Sequence, residues 1–129
     1  MKKTISVAVA TILIVIAVVL EQIFVQNTLD NLIEKITSIN TRIQNSQDID
    51  DENLIFAIDE IDEFWTEKEK VLCLSINHNE LNKVGEQIKK VKVYVEQNNK
   101  EECLVELDTL LFYAKSYKHT MEISPQNFF

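Results

Sequence analysis

The chain has 129 residues with 21 acidic and 13 basic side chains, a net charge of −8, one glycine (Gly85) and one proline (Pro125). So acidic a chain is repelled by nucleic acid and by anionic lipid, which removes both as ligands. So few turn-forming residues exclude a β-sheet architecture and leave an all-α one.

Lys2 and Lys3 are followed by an uncharged run, TISVAVATILIVIAVVL, from Thr4 to Leu20. At about 1.5 Å of helical rise per residue the run reaches roughly 26 Å, close to the thickness of a hydrocarbon core. Lys2, Lys3 and Glu21 can snorkel to the headgroups at either side, and Ile23, Phe24 and Val25 extend the apolar character further. An uncharged run this long at a terminus does not suit a buried core helix. A secretory signal peptide opens in the same way, but it ends in small residues three and one before its cleavage point. Here Ala8 and Ala10 lie inside the run, and Ala17 is followed by Val18, Val19 and Leu20. A retained anchor is therefore expected, with cleavage as the alternative. No cysteine precedes Cys73, so a lipoprotein-type processing site after the run is excluded.

Orientation follows from charge. Lys2 and Lys3 precede the run, whereas Glu21, Asp30 and Glu34 follow it with only Lys35 nearby, which predicts a cytoplasmic N-terminus and an extracytoplasmic C-terminal domain of the cell membrane. A stub of Met1, Lys2 and Lys3 is too short to carry an output module. From Glu21 onward the 21 acidic residues face 11 basic ones, a net charge of −10. The length that remains suits one domain with a modest core.

Val25, Leu29, Leu32, Ile36, Ile39 and Ile43 alternate in steps of four and three, the seam of a helix that buries one face. Nothing between Thr4 and Gln44 would break that helix, so the apolar run and the seam are read as one continuous rod. NSQDIDDEN (45–53) then offers N-cap residues and acids that favour a helix N-terminus. The second seam is Leu54, Ile58, Ile61, Trp65, Lys68 and Leu72, widened by Phe64 and Val71. The phase slips at SINHNEL, where Asn77 and Glu80 have capping-box spacing. This places a break near 77–79, either a tight reversal or a kink. The third seam is Leu81, Val84, Ile88, Val91 and Val95; EQNNKEE (96–102) forms the next turn; and Leu104, Leu107, Leu111, Ala114 and Met121 make the face of a last helix closed by Ser124 and Pro125.

Four amphipathic segments joined by short polar links predict an antiparallel, up-down four-helix bundle, in which helices two and four run parallel. Eight acids and no base lie within 48–63, while Lys83, Lys89, Lys90 and Lys92 stand against Glu86 in the third helix. Those opposite charges help register helix two on helix three, each exposed pair contributing little.

Sites of chemistry are scarce. Two cysteines in an exported domain invite a disulfide. The topology puts Cys73 near the end of helix two and Cys103 near the start of parallel helix four, at opposite ends of the bundle and far beyond the ~7 Å Cα limit for a bridge. Both are read as reduced, with an intermolecular bond as the alternative. In DIDDEN, Asp48, Asp50 and Glu52 alternate as in a calcium loop, but Asn53 replaces the glycine needed at the sixth position and Asp59 the glutamate at the twelfth, so helix capping is the better account. Neither His78 nor His119 has a glutamate three residues before it, as a di-metal carboxylate bundle requires; Ser75 and Ser116 stand there. His78 suits a helix end and His119 a last turn. No nucleophile elbow or phosphate loop occurs, and no catalytic residue, metal or cofactor is assigned. Trp65 at a seam position suits the core better than a ligand platform. SPQNFF places Phe128 and Phe129 at the end of the chain, folded back onto the bundle or offered to a partner.

EQIFVQNTLDNLIEKI after the run, FWTEKEKVLCLSINHNEL in the middle and NFF at the end give a layout that resembles domain-of-unknown-function family 4363, small single-pass proteins of anaerobic Gram-positive spore formers. The resemblance covers essentially the whole chain. It implies no activity, cofactor or catalytic residue, but association with another membrane protein, and an anaerobic source would suit unpaired cysteines.

The expected organisation is a stub and transmembrane anchor over 1–22, a bundle domain over 23–123 and a tail over 124–129. The expected function is a non-enzymatic, membrane-anchored bundle that touches the bilayer through residues 4–20 and binds a membrane-protein partner in a cell-envelope or sporulation-related assembly. Trp65, His78, Phe128 and Phe129 are the candidate contact residues. A second copy of the chain could use the same first-helix seam. The alternative is a ligand-binding sensor with a pocket near Trp65 and His78, signalling laterally through its membrane helix.

Overall fold

The computed structural model describes residues 1–121, the side chain of Met121 excepted; Ser124, Pro125 and the tail with Phe128 and Phe129 lie outside the described residues. Four helices make up the fold of the described residues: α1 (Lys2–Gln44), α2 (Glu52–Leu72), α3 (His78–Glu96) and α4 (Lys100–Met121). They form a four-membered ring in which α1 lies against α2 and α4, and α3 against α2 and α4. This is the up-down bundle, with α1 and α4 sharing the most extensive interface.

At about 1.5 Å per residue, α1 is roughly 65 Å long. It runs unbroken through the boundary expected at residue 22. Its buried residues, Val25, Leu29, Leu32, Ile36, Ile39 and Ile43, are the expected seam, joined by Thr28. Residues 1–20 project beyond the other helices and are exposed throughout. The end from which they project is the base of the bundle, and the opposite end is its crown.

The crown is built by two links. Asp51 caps α2, its carboxylate accepting from the Asn53 amide at 3.0 Å. Two residues earlier Ile49, which lies on no helix, is fully buried and plugs the crown. Its amide donates to Asn98 Oδ1 at 2.8 Å, and Asn98 Nδ2 donates to Asp48 at 3.1 Å. Asn98 has a φ of 54°, the left-handed region that asparagine tolerates better than other side-chain-bearing residues. That conformation lets the Asn98 amide reach Val95 O and the Asn99 amide reach Tyr94 O, closing α3 with a paired-carbonyl cap. Asn99 then caps α4 by accepting from the Glu102 amide at 3.3 Å. Lys100 Nζ donates to Gln44 O and Ser46 O at 3.1 and 2.8 Å, satisfying carbonyls at the end of α1.

At the base the chain reverses between Leu72 and His78, somewhat before the expected break at 77–79 and without a kinked continuation. The reason is Ile76: its amide and that of Ser75 both donate to Leu72 O, at 2.8 and 2.9 Å, so the last turn tightens and Ile76 tucks into the core. Asn77 caps α3 through the Asn79 amide at 2.8 Å. Glu80, the expected second half of a capping box, is drawn instead to Tyr117 and Lys83.

Three details of the seams differ from expectation. Val71 is exposed, because α2 turns that side outward at the base. Lys68 is half-buried, and its ammonium lies over the Phe24 and Phe64 rings at 5.5 and 5.8 Å, so a charged residue completes an apolar seam by snorkelling across aromatic faces. On α4 the buried set is Cys103, Leu107, Leu110 and Ala114, with Leu104 and Leu111 only half-buried. The helix is rotated from the expected register because it wedges between α1 and α3 and must present a face to each. The expected pairing of α2 with α3 is present in Lys92, whose ammonium meets Asp59 at 2.7 Å. The Asp59 carboxylate raises the Lys92 pKa from its ordinary value through that hydrogen bond.

Candidate functional site

The longest stretch of exposed apolar surface meets the bundle at its base, where α1 leaves it. Residues Thr4–Leu20 carry branched aliphatic side chains on every side, so no face is reserved for packing against the other helices. α1 is the single helix among the described residues long and apolar enough to cross a membrane, and its most apolar window is wholly unburied. Thr11 does not spoil that surface: its hydroxyl donates to Val7 O at 2.8 Å, the internal satisfaction a polar side chain needs away from water.

The packed part begins immediately above. Ser75, in the α2–α3 link, donates to the Glu21 carboxylate, so this link is held level with the first charge that follows the apolar run. Beside that bond lies a cleft of about 560 Å³ lined by Leu20, Glu21, Phe24, Val71, Leu74 and Ser75. Leu74 is 79 % exposed and Val71 48 %, next to Leu20 at 60 %. The other side of the base is polar and tied together. Lys118 pairs with Asp30 at 2.5 Å, and Gln26 Nε2 donates to Lys118 O at 3.3 Å, joining the end of α4 to α1. The Tyr117 hydroxyl donates to the Glu80 carboxylate at 2.8 Å, joining α4 to α3. That hydrogen bond, with a second from Lys83, holds Glu80 below its ordinary value of 4.5. Burial and the same carboxylate push the Tyr117 phenol well above its own.

The candidate contact residues are dispersed. Trp65 is fully buried, and its indole N–H donates to Leu81 O at 3.2 Å, so it serves the α2–α3 interface and meets a partner only if the bundle opens. His78 is the exposed first residue of α3 and does not line the shallow groove beside Trp65, which is formed by Asp62, Thr66, Glu69, Asn82 and their neighbours. Phe128 and Phe129 lie outside the described residues. Cys73 is exposed at the base and Cys103 buried near the crown, both as free thiols, and burial pushes the Cys103 thiol up to about 11. Asp48 and Asp51 spend their carboxylates on Asn98 and on the α2 cap. Among the described residues no group of three His, Cys, Asp or Glu side chains is placed to hold a metal.

Sequence reasoning missed Leu74 and the Glu21–Ser75 bond. The signal for Leu74 was faint: a large apolar residue just past the α2 seam, next to the phase slip. It also missed an open cleft of about 320 Å³ between α1 and α2, lined by charged side chains that include Glu34, Lys35, Arg42 and Glu60.

A family model described as a domain of unknown function, DUF4363, matches residues 19–128, beginning where the exposed run gives way to the packed seam. The chain belongs to that family. No curated protein and no solved structure matches it.

Proposed function

We propose that this DUF4363 chain is a non-enzymatic, membrane-anchored helical bundle that binds a partner protein at the extracytoplasmic face of the cell membrane, in a cell-envelope assembly. The observation that carries the proposal is the separation along α1: a bundle whose core closes without residues 1–20, and a helically continuous apolar extension that none of the other described helices buries. Lys2 and Lys3 before the extension and Glu21, Asp30 and Glu34 after it support the orientation. Outward-facing Val105 and Phe112, seven residues apart on α4, supply exposed apolar surface to a partner well above the bilayer. The test is photo-crosslinking in intact cells from single positions on each outer face, Phe56, Val93, Val105 and Phe112. One membrane protein captured from one face is the expected result; adducts only with the same chain, or none, reject the partner.

A sensor reading rests on the cleft between α1 and α2, since a polar solute seated among Glu34, Arg42 and Glu60 would act directly on the helix that enters the membrane. A rise in melting temperature with an amino-acid-like zwitterion, lost in Arg42→Ala, is its expected result. No shift across a set of such solutes rejects it.

A further inference from the structure

We propose that the α2–α3 link is a second membrane contact, with Leu74 and Val71 inserted into the lipid interface beside the point where α1 enters the bilayer. The inference rests on the anchor reading of α1 and adds to it a fixed attitude of the bundle on the surface. Leu74 is the most exposed large hydrophobic residue after Met1 among the described residues, more exposed than any large hydrophobic side chain of the apolar run itself. A leucine so bare at a tight reversal would ordinarily be replaced by a polar turn residue at no cost to packing. Its height is set by chemistry. The Ser75 hydroxyl is bonded to Glu21, the first charged residue after Leu20, so whatever depth places Glu21 among the headgroups places Leu74 at the edge of the hydrocarbon.

Continuity identifies the occupant. Leu20, Phe24, Val71 and Leu74 line one cleft with Glu21 and Ser75, so the apolar surface of the run passes sideways onto the link around one polar pair whose members are bonded to each other. The lipid that solvates Leu20 meets Leu74 in the same plane. The attraction is apolar, not electrostatic, because the exported part carries a net charge of −10. A lone helix crossing a bilayer tilts freely within limits set by its flanks, whereas two contacts on one rigid body restrict both tilt and rotation. The bundle then offers one defined face to its surroundings.

Spin-label accessibility in vesicles of phosphatidylethanolamine and phosphatidylglycerol tests this on the full chain. In a Cys73→Ser background, with Cys103 protected by burial, nitroxides are placed at Leu74→Cys, at Ile12→Cys within the run, and at Phe56→Cys near the crown. All three positions are exposed, so the labels do not disturb the core. The expected result is a ratio of oxygen to nickel-chelate collisions several-fold higher at 74 than at 56 and close to that at 12, with the wild-type chain labelled at Cys73 giving an intermediate value. A lipid-like 12 with a water-like 74 overturns this inference and leaves the anchor standing. A label at 74 shielded from both reagents means that protein covers the link, and also overturns it. A water-like 12 sinks the anchor and the second contact together.

Discussion

Asn98 joins the two crown links, and its replacement should be costly in a way that separates two causes. Alanine at 98 must hold a φ near 54°, which costs a residue with a Cβ and no compensating side-chain polarity roughly 1–2 kcal/mol. It also removes the acceptor for the amide of Ile49, a fully buried residue, and an unpaired buried donor costs about 1–3 kcal/mol. The exposed bond to Asp48 adds little. Asn98→Ala should therefore lose about 2–5 kcal/mol, a large share of the stability of a domain this size. Asn98→Gly keeps the left-handed turn without strain and loses only the bonds, so it should fall roughly 1 kcal/mol short of that loss. Asn98→Asp keeps the acceptor but sets a second carboxylate against Asp48 in place of the amide donor, so it should lie between glycine and the wild type. The assay is urea unfolding of the full chain in micelles, followed by the fluorescence of Trp65, the lone tryptophan and a core residue. Alanine no worse than glycine would refute the backbone part of the reasoning. Both within about 0.5 kcal/mol of wild type would refute the bond to Ile49 as well.

Three further outcomes follow from the packing. Gly85 lies in α3 with an ordinary helical φ, and a Cβ there would meet Trp65 Cδ1 at 3.7 Å and Nε1 at 3.8 Å, normal contact distances, so Gly85→Ala should stabilise the bundle by about 0.5–1 kcal/mol in the same urea experiment. Leu110→Ala should cost about 2–5 kcal/mol, and Leu111→Ala clearly less, because the first is buried and the second half-exposed; the reverse order would restore the register of α4 expected from sequence. The Glu80 carboxyl is depressed by the Tyr117 and Lys83 hydrogen bonds, so its contribution to stability is present above its ordinary value of 4.5 and is lost as pH falls through the lower folded value. Tyr117→Phe removes the largest cause. A carbon-detected NMR titration of Glu80 should then show a higher midpoint, and the melting temperatures of variant and wild type should converge as pH drops below 4.5. An unchanged midpoint would mean that Tyr117 does not engage the carboxylate in solution.

Much of this fold is determined by local pattern. The seams of α1 and α3 follow from steps of three and four alone, because a 3.6-residue period leaves one way to place Val25–Ile43 or Leu81–Val95 on a single face. The continuity of α1 follows from the lack of any breaker between Thr4 and Gln44. The caps at Asp51 and Asn77 are equally local, since a side-chain oxygen two residues before an orphan amide needs no tertiary help.

What tertiary structure decided lies where a residue's partner is far along the chain. Leu104 and Leu111 fit a 3.6 period as well as Cys103 and Leu110 do, and only the simultaneous presence of α1 and α3 selects between the registers. Ile49 has no period to betray it, and its burial exists because Asn98, nearly fifty residues later, receives its amide. Leu74 and Glu21 are remote in sequence, and their shared level at the base is fixed by Ser75 across the reversal. Periodicity reports which face of a helix is apolar. It carries no term for the height at which two distant turns meet, and at the base of this bundle that height sets what the surface can touch.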